Sequence, residues 1–380
     1  MPIADQYHRL AHGAAAFLIV AFAAGCAPRP GPDVLAATGR TVPGARTVAV
    51  YVATTRARDV PHQNVFRSGR ADKVNFAEFT ISVPPTHRPG MIEWPVGAPD
   101  PATTFATVQQ SVLDGPSFVR AVSHHTDASG THNVGVFVHG FNSNFQESLF
   151  RFAQMAADSD VRGTPILFAW PSEARVTGYL ADKEAATFSR DALANMLTEL
   201  ARQRPTGSIT VVAHSMGGWL TVEALRQLRL NGQSAVLARL NVILAAPDID
   251  VDVFRQQMAV IGTLNRPLTV LVSPDDKALS LSGAIAGSRP RVGALNVRDP
   301  RVEELALKSQ IQIVDISTLK ASDGFNHDRF VNVAALYPRL VGSADTPGSG
   351  LRNAGAFVLN TVGTTLSAPF SLAGEALAGE

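Results

Sequence analysis

From Val134 onward the chain repeats one pattern, an unbroken apolar run followed by a stretch with helical periodicity. The runs read VGVFVHG, TPILFAW, SITVVAH, LNVILAAP, PLTVLVS and IQIVDIS. A strand that is apolar at every position has both faces buried, which is the pattern of a mostly parallel sheet covered by helices on each side. The intervening segments supply those helices. In NFQESLFRFAQMAADS, Asn144 stands where a cap is needed, and Leu149, Phe152 and Met155 recur on one face. In MGGWLTVEALRQLRLNG, Met216, Leu220, Ala224 and Leu228 share a face, and Asn231 with Gly232 offers a left-handed stop. Such alternation implies right-handed crossovers, and ligands bind these sheets beyond the carboxyl ends of the strands. The residues just after each run are therefore where chemistry is to be sought.

Two earlier segments, TVAVYVAT (residues 47–54) and FAEFTISV (residues 76–83), are rich in β-branched and aromatic residues and predict opening strands. Between Pro84 and Asn133 the pattern is irregular, with TTFATV and SFVRAVS as short edge strands. The 380 residues, 46% hydrophobic and 17% charged, can bury a large core as one α/β domain. A formal net charge of +1 and the lack of a Lys/Arg-rich run interleaved with aromatics argue against nucleic acid as a partner. The histidines show no H-E-x-x-H spacing, and no glycine loop carries the lysine that a phosphate cradle needs. Neither metal nor cofactor is expected.

At the N-terminus, His8, Arg9 and His12 precede AAAFLIVAFAA, and GCAP follows with the single cysteine, Cys26. The apolar span falls short of the ~20 residues that cross a hydrocarbon core, so it reads as a cleaved signal peptide. AAGC resembles the lipobox of bacterial lipoproteins, with Ala23 where leucine is usual. In those proteins the cysteine receives a diacylglycerol and becomes the mature N-terminus. The resulting divisions are a signal peptide over 1–25, a Pro- and Gly-rich tether over 26–46, an α/β domain over 47–340 and a low-complexity or disordered tail over 341–380. Lipidation at Cys26 implies membrane attachment in the cell envelope, at the periplasmic face of the outer rather than the inner membrane. It also leaves no second thiol for a disulfide.

Ser215, in AHSMG, lies between the third apolar run and a helix, a variant of the G-x-S-x-G elbow with Ala213 at the first small position. The sharp turn lifts the hydroxyl clear of the sheet and aims the Met216 N–H at the same point. An ordinary helix N-cap serine is the alternative. A serine nucleophile needs a base, and His327 in SDGFNHDRF follows the last strand, in the order that the elbow motif has. The side chain of His214 leaves the elbow in another direction, which suits packing. An acid comes from either of two places: Asp275 or Asp276 in SPDDKAL, and Asp248 or Asp250 in APDIDVDVF. Donors for an oxyanion would be the N–H groups of Phe141, after Gly140 in VFVHGFNSN, and of Met216. His139 orients that loop, and Asn142 and Ser143 are placed to add contacts. WPSEARVTGYLADKEAA reads either as a loop over the site, shaped by Tyr179 and Asp182, or as a plain connection.

Taken in order, VYVATTR, VFVHGFNSNFQES, FAWPSEARVTGYLADKEAA, VVAHSMGG, VILAAPDIDVDVF and SPDDKAL resemble a bacterial family of α/β-hydrolase-fold proteins, often lipoproteins, described as esterase- or lipase-like. The resemblance covers about Val48 to Leu340. It implies the α/β-hydrolase fold, Ser215 as nucleophile and His327 as base. In most proteins of that fold the penultimate strand carries the acid, which favours Asp276, whereas a lipase branch uses the strand before it, which would give Asp248. Hydrolysis of an ester-containing small molecule or lipid through an acyl-enzyme is the function implied. Amide cleavage or acyl transfer would use the same residues, and a non-catalytic binding protein on a hydrolase scaffold is the alternative from another class.

Overall fold

The computed structural model describes residues 29–125, 132–159, 163–203, 207–333, 357–359 and 365–366. Its strands are β1 (Arg46–Arg58), β2 (Phe66–Val83), β3 (Ala106–Leu113), β4 (Val134–Val138), β5 (Thr164–Ala169), β6 (Ile209–His214), β7 (Leu240–Ala245), β8 (Thr269–Val272), β9 (Gln312–Asp315), β10 (Phe357–Leu359) and β11 (Thr365–Leu366). They form an 11-stranded sheet in the order β11-β10-β9-β8-β7-β6-β4-β5-β1-β2-β3. From β1 to β9 across that order every neighbouring pair is parallel. The outer pairs β1 with β2, β2 with β3, β9 with β10 and β10 with β11 are antiparallel. This is the mostly parallel α/β sheet that the apolar runs predict.

The helices are α1 (Gly115–His124), α2 (Phe145–Asp158), α3 (Tyr179–Phe188), α4 (Arg190–Gln203), α5 (Met216–Leu230), α6 (Ser234–Leu237), α7 (Val251–Ile261), α8 (Lys277–Ile285) and α9 (Pro300–Ser309). Two cores flank the sheet. Val134, Val136 and Val138 of β4 point into the one that holds Leu220 of α5, Leu197 of α4 and Phe254 of α7. Phe137, between them, points into the other with Phe145, Leu149 and Phe152 of α2. That two-sided demand is why β4 is apolar at successive positions.

Capping fixes where α2 begins. The Asn144 side chain accepts from the Glu147 N–H and the Glu147 carboxylate accepts from the Asn144 N–H, a reciprocal box that satisfies two otherwise orphan donors. The segment SFVRAVS is helical, not a strand: it lies in α1, with the Asp114 side chain capping the Ser117 N–H and Phe118 and Val122 buried one turn apart.

Two regions carry more order than composition suggests. Residues 29–45 of the segment read as a tether are packed on the domain, with Val34 and Leu35 buried and the Thr38 and Gly39 N–H groups donating to the Thr107 and Val108 carbonyls of β3. In the segment read as a low-complexity tail, β10 pairs with β9. The segment read as a signal peptide and Cys26 lie outside the described residues. Among the described residues no helix is long and apolar enough to cross a membrane.

Candidate active site

β6 ends at His214 and α5 starts at Met216, so one residue makes the whole turn. Ser215 has φ 54° and ψ −120°, a left-handed conformation that side chains rarely adopt. The turn is tied down by its backbone: the Ser215 N–H donates to the Ala245 carbonyl at 2.9 Å, and the Ser215 carbonyl accepts from the Gly218 and Asp248 N–H groups at 2.9 and 3.1 Å. The Ser215 side chain makes no capping hydrogen bond, which distinguishes it from an N-cap serine, and it has no hydrogen-bond partner among the described residues. Small neighbours are required by contact. A Cβ on Gly217 would lie 2.3 Å from the His139 carbonyl oxygen, and one on Gly218 would lie 3.0 Å from Pro247 Cβ. Ala213 fits because it faces the core and is fully buried.

His327 arrives on the loop after β9. Its Nδ1 lies 2.6 Å from Asp276 Oδ2, and Asp276 is fully buried. The other oxygen of Asp276 accepts the Leu279 N–H at 2.9 Å, so capping α8 and orienting the imidazole are done by one carboxylate. The loop is stitched to the β8 edge by the Lys277 N–H donating to the Phe325 carbonyl and by the Asn326 amide donating to Asp275 Oδ2 at 3.0 Å. Burial opposes the charged form of His327, but the hydrogen bond and charge of Asp276, with Asp323 and Asp248 behind it, outweigh that and hold its pKa above the ordinary histidine value. The His327 carbonyl accepts from Nε2 of His214 at 3.3 Å, and the two rings lie 4.6 Å apart. This contact seats His327 beside the residue that precedes Ser215. His214 itself is stacked on Phe330, and burial first, then the charge of His327, hold it neutral.

The other three aspartates weighed as the acid stand elsewhere. Asp275 pairs with both terminal nitrogens of Arg329 at 2.5 and 2.8 Å, and those bonds, with Ser273, draw its pKa down to about 2. Asp250 caps α7. Asp248 is buried and accepts from Ser282 at 2.7 Å and from the Tyr179 hydroxyl at 2.8 Å, with Arg291 Nε 3.2 Å away in an ion pair. The sequence order that gave Asp248 as the alternative acid cannot see that α8 and α3 both reach over β7 and occupy its oxygens.

Across the elbow, the β4 loop presses on the serine. A Cβ on Gly140 would meet His214 Nδ1 at 2.8 Å and Ser215 Cβ at 3.0 Å, so glycine is needed here for space; the left-handed turn comes at Asn142, with φ 57°. The N–H groups of Phe141, in the loop after β4, and of Met216, the first residue of α5, have no acceptor among the described residues, which for Met216 is usual at a helix start. His139 is stacked on Trp170 at 4.8 Å, with its ring nitrogens 2.9 and 3.0 Å from the Gly140 and Trp170 carbonyls. Burial, helped by the Arg56 charge, draws its pKa down to about 3, so it is a neutral strut.

The segment after Trp170 lies against this loop. Asp182 Oδ2 accepts from Ser172 at 2.6 Å and from the Asn142 N–H at 3.3 Å, and the rings of Tyr179 and Phe141 meet edge to face with their centres 5.4 Å apart. Sequence reasoning passed over Arg56, the last residue of VYVATTR. It is 1% exposed and donates to the Ser143 and Ser172 carbonyls at 2.8 and 3.2 Å, joining the two loops from below. A charged residue directly after a run of buried strand positions is the signal that marks it.

A family model described as alpha/beta hydrolase of unknown function (DUF900) matches residues 116–344. A stretch of 61 residues is 39% identical to an uncharacterized protein, alr1448, of a Nostoc strain; the match spans 16% of this chain and 16% of that protein. Among solved structures the chain is similar to an esterase of the fungus Rhizomucor miehei, at 11% identity over 79% of this chain and 86% of the other, with a TM-score of 0.33.

Proposed function

The chain belongs to the alpha/beta hydrolase family of unknown function (DUF900), and from that premise we propose that it is a serine hydrolase cleaving carboxylic esters through an acyl-enzyme. One observation carries the reading: a fully buried aspartate, Asp276, 2.6 Å from Nδ1 of His327, on the loop that rests against the residue before a strained Ser215. In the proposed mechanism the Ser215 hydroxyl attacks the ester carbonyl carbon while Nε2 of His327 takes its proton. The carbonyl electron pair moves onto oxygen, and the N–H groups of Phe141 and Met216 receive that charge. Collapse expels the alcohol, which takes the proton back from His327. Water then repeats the cycle and releases the acid. The hydroxyl and imidazole have still to close up, as such pairs do once substrate is bound.

The chain is further read as anchored through a lipid on Cys26 to the periplasmic face of the outer membrane, on the AAGC segment.

A fluorophosphonate probe tests the chemistry. Covalent labelling of the folded protein at Ser215, abolished in Ser215→Ala together with ~10³-fold or more of the ester turnover, is the expected result. Folded protein that never reacts would remove the enzyme reading in favour of a binding scaffold.

A further inference from the structure

The parallel strands all end at one edge of the sheet, and Ser215, Asp276 and His327 stand on the loops after β6, β8 and β9 at that edge. β1 starts at the opposite edge, since it runs parallel to β5. A chain entering β1 has no topological reason to visit the catalytic edge first. It nevertheless does. Arg29 forms a bidentate pair with Glu147 at 2.8 and 2.6 Å, donates to Asn142 Oδ1 at 2.8 Å, and also reaches the carbonyls of Asn142 and Ala174. Asn142 is next to Phe141, whose N–H is the proposed oxyanion donor. The Pro30 carbonyl accepts from the Asn144 amide. From there residues 32–39 run back along β3 toward the far edge, pinned by Val34, Leu35, Thr38 and Gly39.

Cys26 is three residues before Arg29, a reach of at most about 11 Å. The same edge carries exposed apolar side chains. Val176 and Leu180, just beyond Ala174, are 69% and 72% exposed, and Leu281 and Ile285 of α8 and Phe325, two residues before His327, are more than half exposed. Single exposed apolar residues are ordinary, but several on the segments that follow the parallel strands at one sheet edge are not explained by folding. A lipid anchor fixed this close brings that group to the bilayer surface, where apolar side chains insert ~5–10 Å at the headgroup boundary.

We infer that the docked segment 29–45 is an orienting strap that holds the sheet edge carrying Ser215 against the bilayer, so that the substrates are acyl esters presented by the membrane. The inference rests on the lipid anchor and, for the substrate class, on the hydrolase reading. Lipidation occupies the thiol of Cys26, so a cysteine introduced at an exposed site is free for a fluorophore. Leu180→Cys and, as a second rim position, Val176→Cys are compared with Val96→Cys, which is fully exposed in the connection between β2 and β3 at the opposite edge. Each full-length lipidated variant is placed on phosphatidylethanolamine and phosphatidylglycerol vesicles that contain lipids with nitroxide-labelled acyl chains. Several-fold stronger quenching at the rim positions than at Val96 is expected. Equal quenching, or failure of the native protein to associate with vesicles, overturns the orientation. Fluorophosphonate labelling on the same vesicles separates the two readings. Rim quenching without labelling keeps the orientation and removes the hydrolase, whereas labelling with equal quenching does the reverse.

Discussion

At the scale of single residues, the His327 and Asp276 pair makes opposite demands on pH. As the proposed general base His327 works only as neutral imidazole, and its pKa is raised above the usual ~6.5, so kcat/KM should fall as pH drops through a single pKa above that value. The stability contribution runs the other way. A histidine whose pKa is higher in the folded state stabilises the fold fully below the unfolded value, and that contribution is lost as pH rises through the folded value. The pH profile of kcat/KM and urea melts across the same range measure the two; an acid limb lying below the ordinary histidine value would contradict the assignment. Asp276→Asn should lower kcat on the order of 10⁴-fold through loss of the correct tautomer. It should also shift what remains of the acid limb downward. Asp248→Asn should do something different. It leaves the guanidinium of Arg291 buried without its counter-charge, a loss of about 3 kcal/mol of stability, and it moves the acid limb down less than Asp276→Asn does, since Asp248 is the smallest of the charges that raise the His327 pKa. A stability assay and a rate assay on both variants separate a positioning carboxylate from a structural one.

At the scale of elements, one tightly constrained junction is the contact of β4, β6 and α5. Gly217→Ala would press a methyl carbon to within 2.3 Å of the His139 carbonyl, where backbone cannot give way easily, so the variant should unfold at lower denaturant and lose activity together. Asn144→Ala removes one half of the capping box of α2 and should cost about 1 kcal/mol in a melt, with little change in turnover. Both elements were legible in sequence because their signals are local: a capping side chain three residues before the N–H it accepts from, and small residues at fixed offsets from a serine. The misread element was α1. SFVRAVS is short, with Val119 and Val122 favouring a strand, and its helix is decided by the Asp114 cap, Pro116 in the first turn and the pocket that takes Phe118. The first half of β2 was also missed. FRSGRADKV is largely polar, and it is extended because β1 beside it is long enough to pair with it across two irregularities.

At the scale of the whole molecule, anchoring and orientation are separate properties. Cys26→Ser should release the protein from membranes into the soluble fraction, and full retention of that variant would place the attachment elsewhere in the chain. The sequence by itself determined the architecture, since two-sided burial demands apolar strands and period-2 or period-3.6 spacing can be read from neighbours a few positions apart. It also narrowed the proposed chemistry to Ser215, His327 and a choice of aspartates, because the carboxyl ends of parallel strands share one edge whatever the loops do. Which aspartate faces the imidazole was decided only by tertiary packing: Asp248 and Asp276 both follow buried strands, and the difference lies in Tyr179, Ser282 and Arg291 arriving from distant segments to take the first. The same holds for Arg56 and Arg29. Each bonds carbonyl oxygens more than eighty residues away in the chain, and backbone carbonyls are present at every position, so nothing in the sequence marks the ones that will be reached.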